Sequence, residues 1–207
     1  MYKTVVFDVD GTLIDTEQAV IGSLQKLLLM NYGRTVEAGE LLFVLGIPGT
    51  YSLPKLGITD IDDACAQWNV YMKEFYDSMK VFPGIMEVMG TLKTRNILQG
   101  IVTSKTDKEL ADDFVPFGLM DYLTHAVCAN HTEKHKPNPE PLLKFLEVTG
   151  TDPASSIYIG DTIYDYECAR DAGVDFGLAL WGCQNHEHIP AKYKLEKPQD
   201  ILKLAGE

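Results

Sequence analysis

Residues 5–17 read VVFDVDGTLIDTE, an apolar run interrupted by two carboxylates one residue apart and followed at once by a glycine. Val5, Val6 and Phe7 are β-branched or aromatic and show no helical period, so residues 3–8 predict a short buried strand. Asp8 and Asp10 then stand where that strand stops. Like charges that close repel, the more so where water is excluded. Either both are solvated in a turn, or something positive sits between them, and the rest of the chain has to decide.

Working outward, residues 16–31 place Val20, Leu24, Leu27 and Leu28 at helical spacing, with Gly33 as a stop. Residues 36–45 and 60–79 read as further helices, the latter with Ala64, Trp68, Tyr71, Phe75 and Met79 on one stripe suited to packing rather than to a ligand box. Between them lies the Gly/Pro-rich stretch GIPGTYSLPK, residues 46–55, expected to be a loop. From residue 81 the pattern becomes alternating: helices at 85–95, 105–115, 139–149 and 163–171, strands at 97–103, 125–129, 156–160 and 174–180. The tail PQDILKLAG, residues 198–206, reads as one closing helix. Such alternation predicts an α/β protein with a doubly wound, Rossmann-like parallel sheet covered by helices on both faces. The helical block separates the first strand from the others. The predicted organisation is a core of residues 1–15 and 81–207 with a helical second domain inserted at 16–80.

The chain of 207 residues is 45% hydrophobic and 23% charged, enough to bury a proper core. A formal net charge of −12 argues against nucleic acid or an anionic membrane surface as partner, while leaving room for a small anionic substrate next to a metal ion. The N-terminal apolar run is too short for a signal peptide, and no stretch approaches the roughly 18 apolar residues of a membrane span. Cys65, Cys128, Cys168 and Cys183 form no CxxC pair, which points to reduced thiols and a cytoplasmic location. His131 and His135, and His186 and His188, lack a carboxylate or cysteine at matching spacing and read as surface residues.

In open parallel sheets, ligands bind at the carboxyl ends of the strands. After VVF come Asp8 and Asp10; after GIV come Thr103, Ser104 and Lys105. The loop beyond HAVCA carries Lys136 in KPNPEP, and IYI is followed by Gly160, Asp161 and Asp165. Polar residues follow strands routinely, but carboxylates, a hydroxyl and a lysine on successive strand ends are hard to obtain by chance.

This set resembles the haloacid dehalogenase-like phosphohydrolases over nearly the whole chain. The resembling motifs are DxDGT at Asp8–Thr12, the hydroxyl of Thr103, the lysine Lys136 (favoured over Lys134 by the following Pro137) and GDxxxD at Gly160–Asp165. The resemblance implies that Asp8 attacks a phosphoryl group to give an aspartyl-phosphate, and that Asp10 acts as general acid and then base. It implies Mg²⁺ held by the side chains of Asp8 and Asp161 and the carbonyl of Asp10, with Asp165 on a metal-bound water. Thr103, Lys136 and the backbone N–H of Ser104 would then hold the phosphoryl oxygens, with Gly11 and Thr12 beside them. Ser104 departs from the Asn frequent in the family. The helical block resembles the family's mobile cap, and Gly46 and Lys55 of its loop are candidates for touching the non-phosphate part of the substrate.

The expected activity is hydrolysis of a small phosphomonoester by a protein favoured to be a monomer, with the phosphoglycolate phosphatases as nearest type. A β-phosphoglucomutase-like phosphomutase and a pyrophosphatase are rivals within the class. A non-catalytic, phosphorylation-controlled regulator is the rival outside it. For Thr103 a helix-capping role is the alternative. Asp15 and Thr16 read as the start of the first helix, Asp107 and Lys108 as exposed helix residues, and Tyr164 as packing.

Overall fold

The computed structural model describes residues 1–205. Chain order begins with β1 (Thr4–Phe7), β2 (Ile14–Asp15) and the helical block α1 (Glu17–Tyr32), α2 (Ala38–Leu41), α3 (Gly49–Ser52) and α4 (Ile61–Met72). It continues with β3 (Lys80–Val81), α5 (Ile85–Thr94), β4 (Leu98–Val102), α6 (Asp107–Asp113), β5 (His125–Val127) and α7 (Glu140–Thr149). It closes with β6 (Ser156–Gly160), α8 (Ile163–Asp171), β7 (Asp175–Ala179) and β8 (Tyr193–Leu195).

Six of these strands form one parallel sheet in the order β5-β4-β1-β6-β7-β8. The Rossmann-like α/β class expected from the alternation is therefore present. All of β1 is buried, which is why its Val5–Phe7 stretch is an unbroken apolar run rather than an alternating one. Its side chains still alternate between faces. Val5 and Phe7 pack with Ile101, Ile157 and Ile159 beneath Val88 and Leu92 of α5, whereas Val6 packs with Val102 and Tyr158 beneath Phe145 of α7 and Cys168 of α8. Each such fully buried apolar side chain contributes about 1.5–3 kcal/mol relative to exposure.

From β1 the chain runs out to β4 and β5 on one side, then returns across β1 to β6, β7 and β8. That reversal leaves a crevice at the carboxyl end of β1. Register places Phe7 opposite Ile101 on one neighbour and Ile159 on the other, so the residues after all three strands arrive at one edge.

The helical block has an apolar cluster of its own, in which Leu24, Leu27 and Leu28 of α1 meet Leu41, Val44, Leu53 and Ala64. Gly33 ends α1 in the left-handed conformation, φ 63°, with its N–H on the Leu29 carbonyl and the Arg34 N–H on that of Leu28. The block joins the sheet through the short antiparallel pair β2–β3, Ile14 opposite Val81 and Asp15 opposite Lys80. No helix among the described residues is long and apolar enough to cross a membrane.

Several local expectations change. The stretch 46–55 is largely helical, α3 followed by a 3₁₀ turn at Leu53–Leu56, because Pro48 and Pro54 sit at helix starts, where a missing N–H costs nothing. The tail is a 3₁₀ turn over Pro198–Lys203, and Gly206 lies outside the described residues. The edge strand β8, YKL, was not foreseen: it is three residues long, with a lysine in the middle, a composition that protects an edge more than it announces one.

Candidate active site

The carboxyl ends of β1, β4 and β6 bring Asp8, Thr103 and Asp161 together, and the loop before α7 inserts Lys136 among them. Lys136 Nζ lies 2.7 Å from both Asp8 Oδ1 and Asp165 Oδ1, and its side chain is 1% exposed. Lys134, the other candidate, is exposed. Tyr158 supports the pair from β6, its hydroxyl donating to Val102 O at 2.9 Å and lying 3.1 Å from Asp165 Oδ1. In sequence that tyrosine reads only as core.

Asp165 is held on both oxygens, because Oδ2 accepts from the N–H and hydroxyl of Thr162 in a capping box that starts α8. The GDxxxD spacing is thus a helix cap that turns the other oxygen of Asp165 toward Lys136. Thr12 is fully buried, with its hydroxyl donating to Asp161 Oδ1 at 3.1 Å. It positions a carboxylate instead of lining a cavity. Gly11 has φ 76°, and a Cβ there would collide with the Asp161 carboxylate.

Thr103 Oγ1 accepts from Lys105 N at 3.2 Å, and the side-chain cap of α6 is supplied by Thr106. The hydroxyl proton of Thr103 therefore stays free for another acceptor. Thr16 stands at the N-cap of α1 and so starts the first helix, though its side chain makes no cap bond. Asp15 pairs with Lys80 at 3.6 Å across β2–β3.

Lys105 is a site residue that motif reading passed over. Its Nζ lies 3.1 Å from Asp10 Oδ1 and 2.8 Å from Asp113 Oδ2, and Tyr76 donates to Asp113 Oδ1 at 2.6 Å. Burial alone would push the Lys105 ammonium down; Asp10 and Asp113 outweigh it and hold the pKa above the ordinary lysine range. Its place two residues after Thr103 was the available signal. Trp181 and Gly182, after β7, were also missed. Trp181 Nε1 donates to Thr12 O at 2.9 Å, and a Cβ on Gly182 would strike the Gly11 carbonyl, so this loop braces the DxDGT turn.

A half-open cleft of about 100 Å³ lies over Asp8 and Asp10, overhung by Leu45–Gly49, Trp68, Asn69 and Met72 of the helical block. A neighbouring space of about 150 Å³ shares Asp10, Leu45 and Gly46 and extends to Asp161 and Gly182. Ser104 Oγ donates to Gly46 O at 2.8 Å, Asn69 Nδ2 to Glu109 Oε1 at 3.1 Å, and Tyr164 OH to Phe43 O at 3.3 Å, so the helical block is hydrogen-bonded to the segments that follow the strands. Lys55 does not reach either space. It is exposed, with Nζ 5.7 Å from the Phe43 ring centre and 5.9 Å from that of Tyr164.

Asp8, Asp161 and Asp165 each offer a carboxylate oxygen within 4.8 Å of the others. Asp8 Oδ2 is buried without a hydrogen-bond partner. Burial pushes the Asp8 pKa up to about 7 against the pull of Lys136, with Asp165 and Asp10 adding to the rise. Burial, then Asp165 and Asp8, holds Asp161 well above the usual carboxylate range. Crowded buried oxygens with one orphan fit a hard divalent cation. The histidines are exposed or half-buried, but the fold brings the distant Asp107 to His131 beside Cys128, a near neighbour in sequence: His131 Nε2 lies 2.9 Å from Asp107 Oδ2, and His131 Nδ1 accepts from Cys128 N.

A parallel sheet carrying these groups at the ends of β1, β4 and β6 under a helical roof defines a class. The chain belongs to the haloacid dehalogenase-like hydrolase family, whose model matches residues 5–179, and it is an enzyme of that class. Among its relatives, a protein of Caldanaerobacter subterraneus provisionally named pyrophosphatase PpaX is 31% identical over 96% of this chain and 89% of its own. A phosphoglycolate phosphatase of Xylella fastidiosa is 29% identical over 94% of this chain and 87% of its own. A crystal structure from Lactobacillus plantarum, provisionally assigned as a phosphoglycolate phosphatase, superposes with a TM-score of 0.91 at 32% identity, covering 99% of both chains.

Proposed function

We propose that the protein is a Mg²⁺-dependent phosphatase that hydrolyses a small phosphomonoester through a phosphorylated Asp8. The observation that carries this reading is the state of Asp8. One oxygen is pinned by Lys136, the other is buried without a partner, and the residue lines a cleft that Asp10 also lines.

In the first step an Asp8 oxygen bonds to phosphorus while the bond from phosphorus to the leaving oxygen breaks, and Asp10 gives that oxygen its proton. In the second, Asp10 takes a proton from water, the water oxygen bonds to phosphorus and the bond to Asp8 breaks. Asp10 lines the cavity two residues beyond the nucleophile, with Lys105 fixing its orientation. In this reading Thr103, whose hydroxyl proton is uncommitted, and the Ser104 N–H donate to phosphoryl oxygens. Lys136 supports the charge at Asp8, as phosphoryl transfer requires positioning and electrostatics above all. Mg²⁺, held by Asp8 and Asp161 with Asp165 beside them, would supply neutralisation of the phosphoryl dianion.

The helical block acts in this reading as a cap that opens about β2–β3 and closes through the Ser104–Gly46 contact to exclude water. The test is phosphate release from a panel of esters with and without Mg²⁺, beside Asp8→Asn. Acid-quenched protein should carry phosphate that hydroxylamine removes, as an acyl-phosphate does. Absence of this label during turnover would overturn Asp8 as nucleophile. Transfer to a sugar phosphate in place of release would establish a mutase, and a stable label without turnover a regulator.

A further inference from the structure

Resting on the phosphatase reading, we propose that the substrate's leaving group carries no negative charge: it is a small alcohol bearing hydroxyl or amino groups, not a carboxylate or a second phosphate. The observation is the charge of the cavity beyond the phosphoryl position. Its apolar wall is Val44, Ile47, Trp68 and Met72, and Trp68 Nε1 is already committed to Ser23 Oγ at 2.8 Å, so the ring offers only hydrocarbon. Of the charged side chains that line it, Asp8, Asp10, Glu109 and Asp113 are acidic and Lys105 alone is basic. Lys105 is divided between Asp10 and Asp113.

Glu109 accepts from Asn69 on one oxygen and from the Thr106 N–H and hydroxyl on the other, and no basic group among the described residues comes within ion-pair distance of it. The adjoining space adds Asp15, Glu17 and Asp161 and contains no basic side chain. Lys136 is buried between Asp8 and Asp165, and Lys55 stays outside on its aromatic rings. A second anion would find no unpaired lysine or arginine there and would face Glu109, which stands part-buried in the cleft wall. Hydroxyl or ammonium donors would instead gain acceptors in Glu109 and the Asn69 carbonyl. This separates the chain from the compounds in the names of its relatives, since phosphoglycolate would release glycolate and pyrophosphate would release phosphate, both anionic leaving groups.

The test is a series of nearly equal size: 2-hydroxyethyl phosphate, 2-aminoethyl phosphate, phosphoglycolate and pyrophosphate. Measured with Mg²⁺, kcat/KM for the first two should exceed that for the last two by on the order of 100-fold. Calorimetric titration of Asp8→Asn should give the same order of affinity without turnover. Asn69→Lys, which sets a cation against Glu109, should narrow the gap by about tenfold. Phosphoglycolate or pyrophosphate equal to or better than the uncharged ester would overturn the inference, as would an unaltered gap in folded Asn69→Lys. Silence on every ester with the affinity order intact would count against the phosphatase reading alone.

Discussion

Lys105 Nζ lies 3.1 Å from Asp10 Oδ1, and the contact is an ion pair without hydrogen-bond alignment, since Asp10 Oδ1 accepts no hydrogen bond. Asp113 holds the same ammonium from behind at 2.8 Å, and Tyr76 in turn donates to Asp113. The second aspartate of DxDGT is thereby tied to the residue range that joins the helical block to the sheet.

Lys105→Met should lower kcat by on the order of 100-fold while changing KM only a few-fold, because Asp10 loses the group that orients it. It should also destabilise the fold by about 3 kcal/mol, since breaking a buried pair leaves carboxylates without a counter-ion. Lys105→Arg, which keeps the charge, should recover part of both. Steady-state kinetics beside denaturant melts check this, and unchanged kcat in Lys105→Met would remove Lys105 from the site.

Metal binding should be visible as stability. At 100 times the dissociation constant, a ligand of the folded state adds about 2.7 kcal/mol, which for a chain this size is a rise of about 5–10 °C in Tm. Wild type should show that rise on adding Mg²⁺, and Asp161→Asn should not. Without metal, Asp161→Asn should melt higher than wild type, because it relieves repulsion with Asp8 and Asp165 in a buried cluster. Differential scanning calorimetry with Mg²⁺ or a chelator measures all four melts.

Cap closure should depend on the loop after Leu45. Ser104→Ala deletes a part-buried hydrogen bond to Gly46 O, worth about 1 kcal/mol, and should raise KM about fivefold with little change in Tm. Gly46→Ala should act more strongly. Gly46 has φ 86°, and a Cβ there would lie 2.9 Å from Thr162. Initial-rate kinetics on both variants provide the check, and a Gly46→Ala variant with wild-type KM would show that closure does not pass through this contact.

Away from the site, Tyr2 donates to Asp175 Oδ2 at 2.5 Å, and Lys192 Nζ lies 2.6 Å from the same oxygen. Burial would raise the Asp175 pKa, but Lys192 and Tyr2 outweigh it and hold it below the usual carboxylate value. A depressed carboxylate stabilises the fold above its unfolded pKa of about 3.9, and that stabilisation is lost as pH falls through the folded value. Asp175→Asn should therefore melt below wild type at pH 7, with the difference closing below pH of about 4. A gap independent of pH would mean that the contact acts by packing alone.

The sequence by itself determined the parallel α/β class and which residues stand at strand ends, because buried central strands are apolar runs and the DxDGT, Thr103 and GDxxxD positions follow them directly. Helices with a clear period, such as α1 and α7, were legible for the same reason, while the three-residue β8 and the proline-started turns of residues 46–55 have too little period to read. Only the tertiary structure decided that Lys105 faces Asp10, that Tyr158 backs Lys136, that Trp181 and Gly182 brace Gly11 and Thr12, and that Lys55 stays outside. Those contacts join residues far apart in the chain or depend on which way a side chain turns. Neither periodicity nor motif spacing encodes them; they follow from parallel strands carrying separate loops to one edge and from a helical block folding back over it.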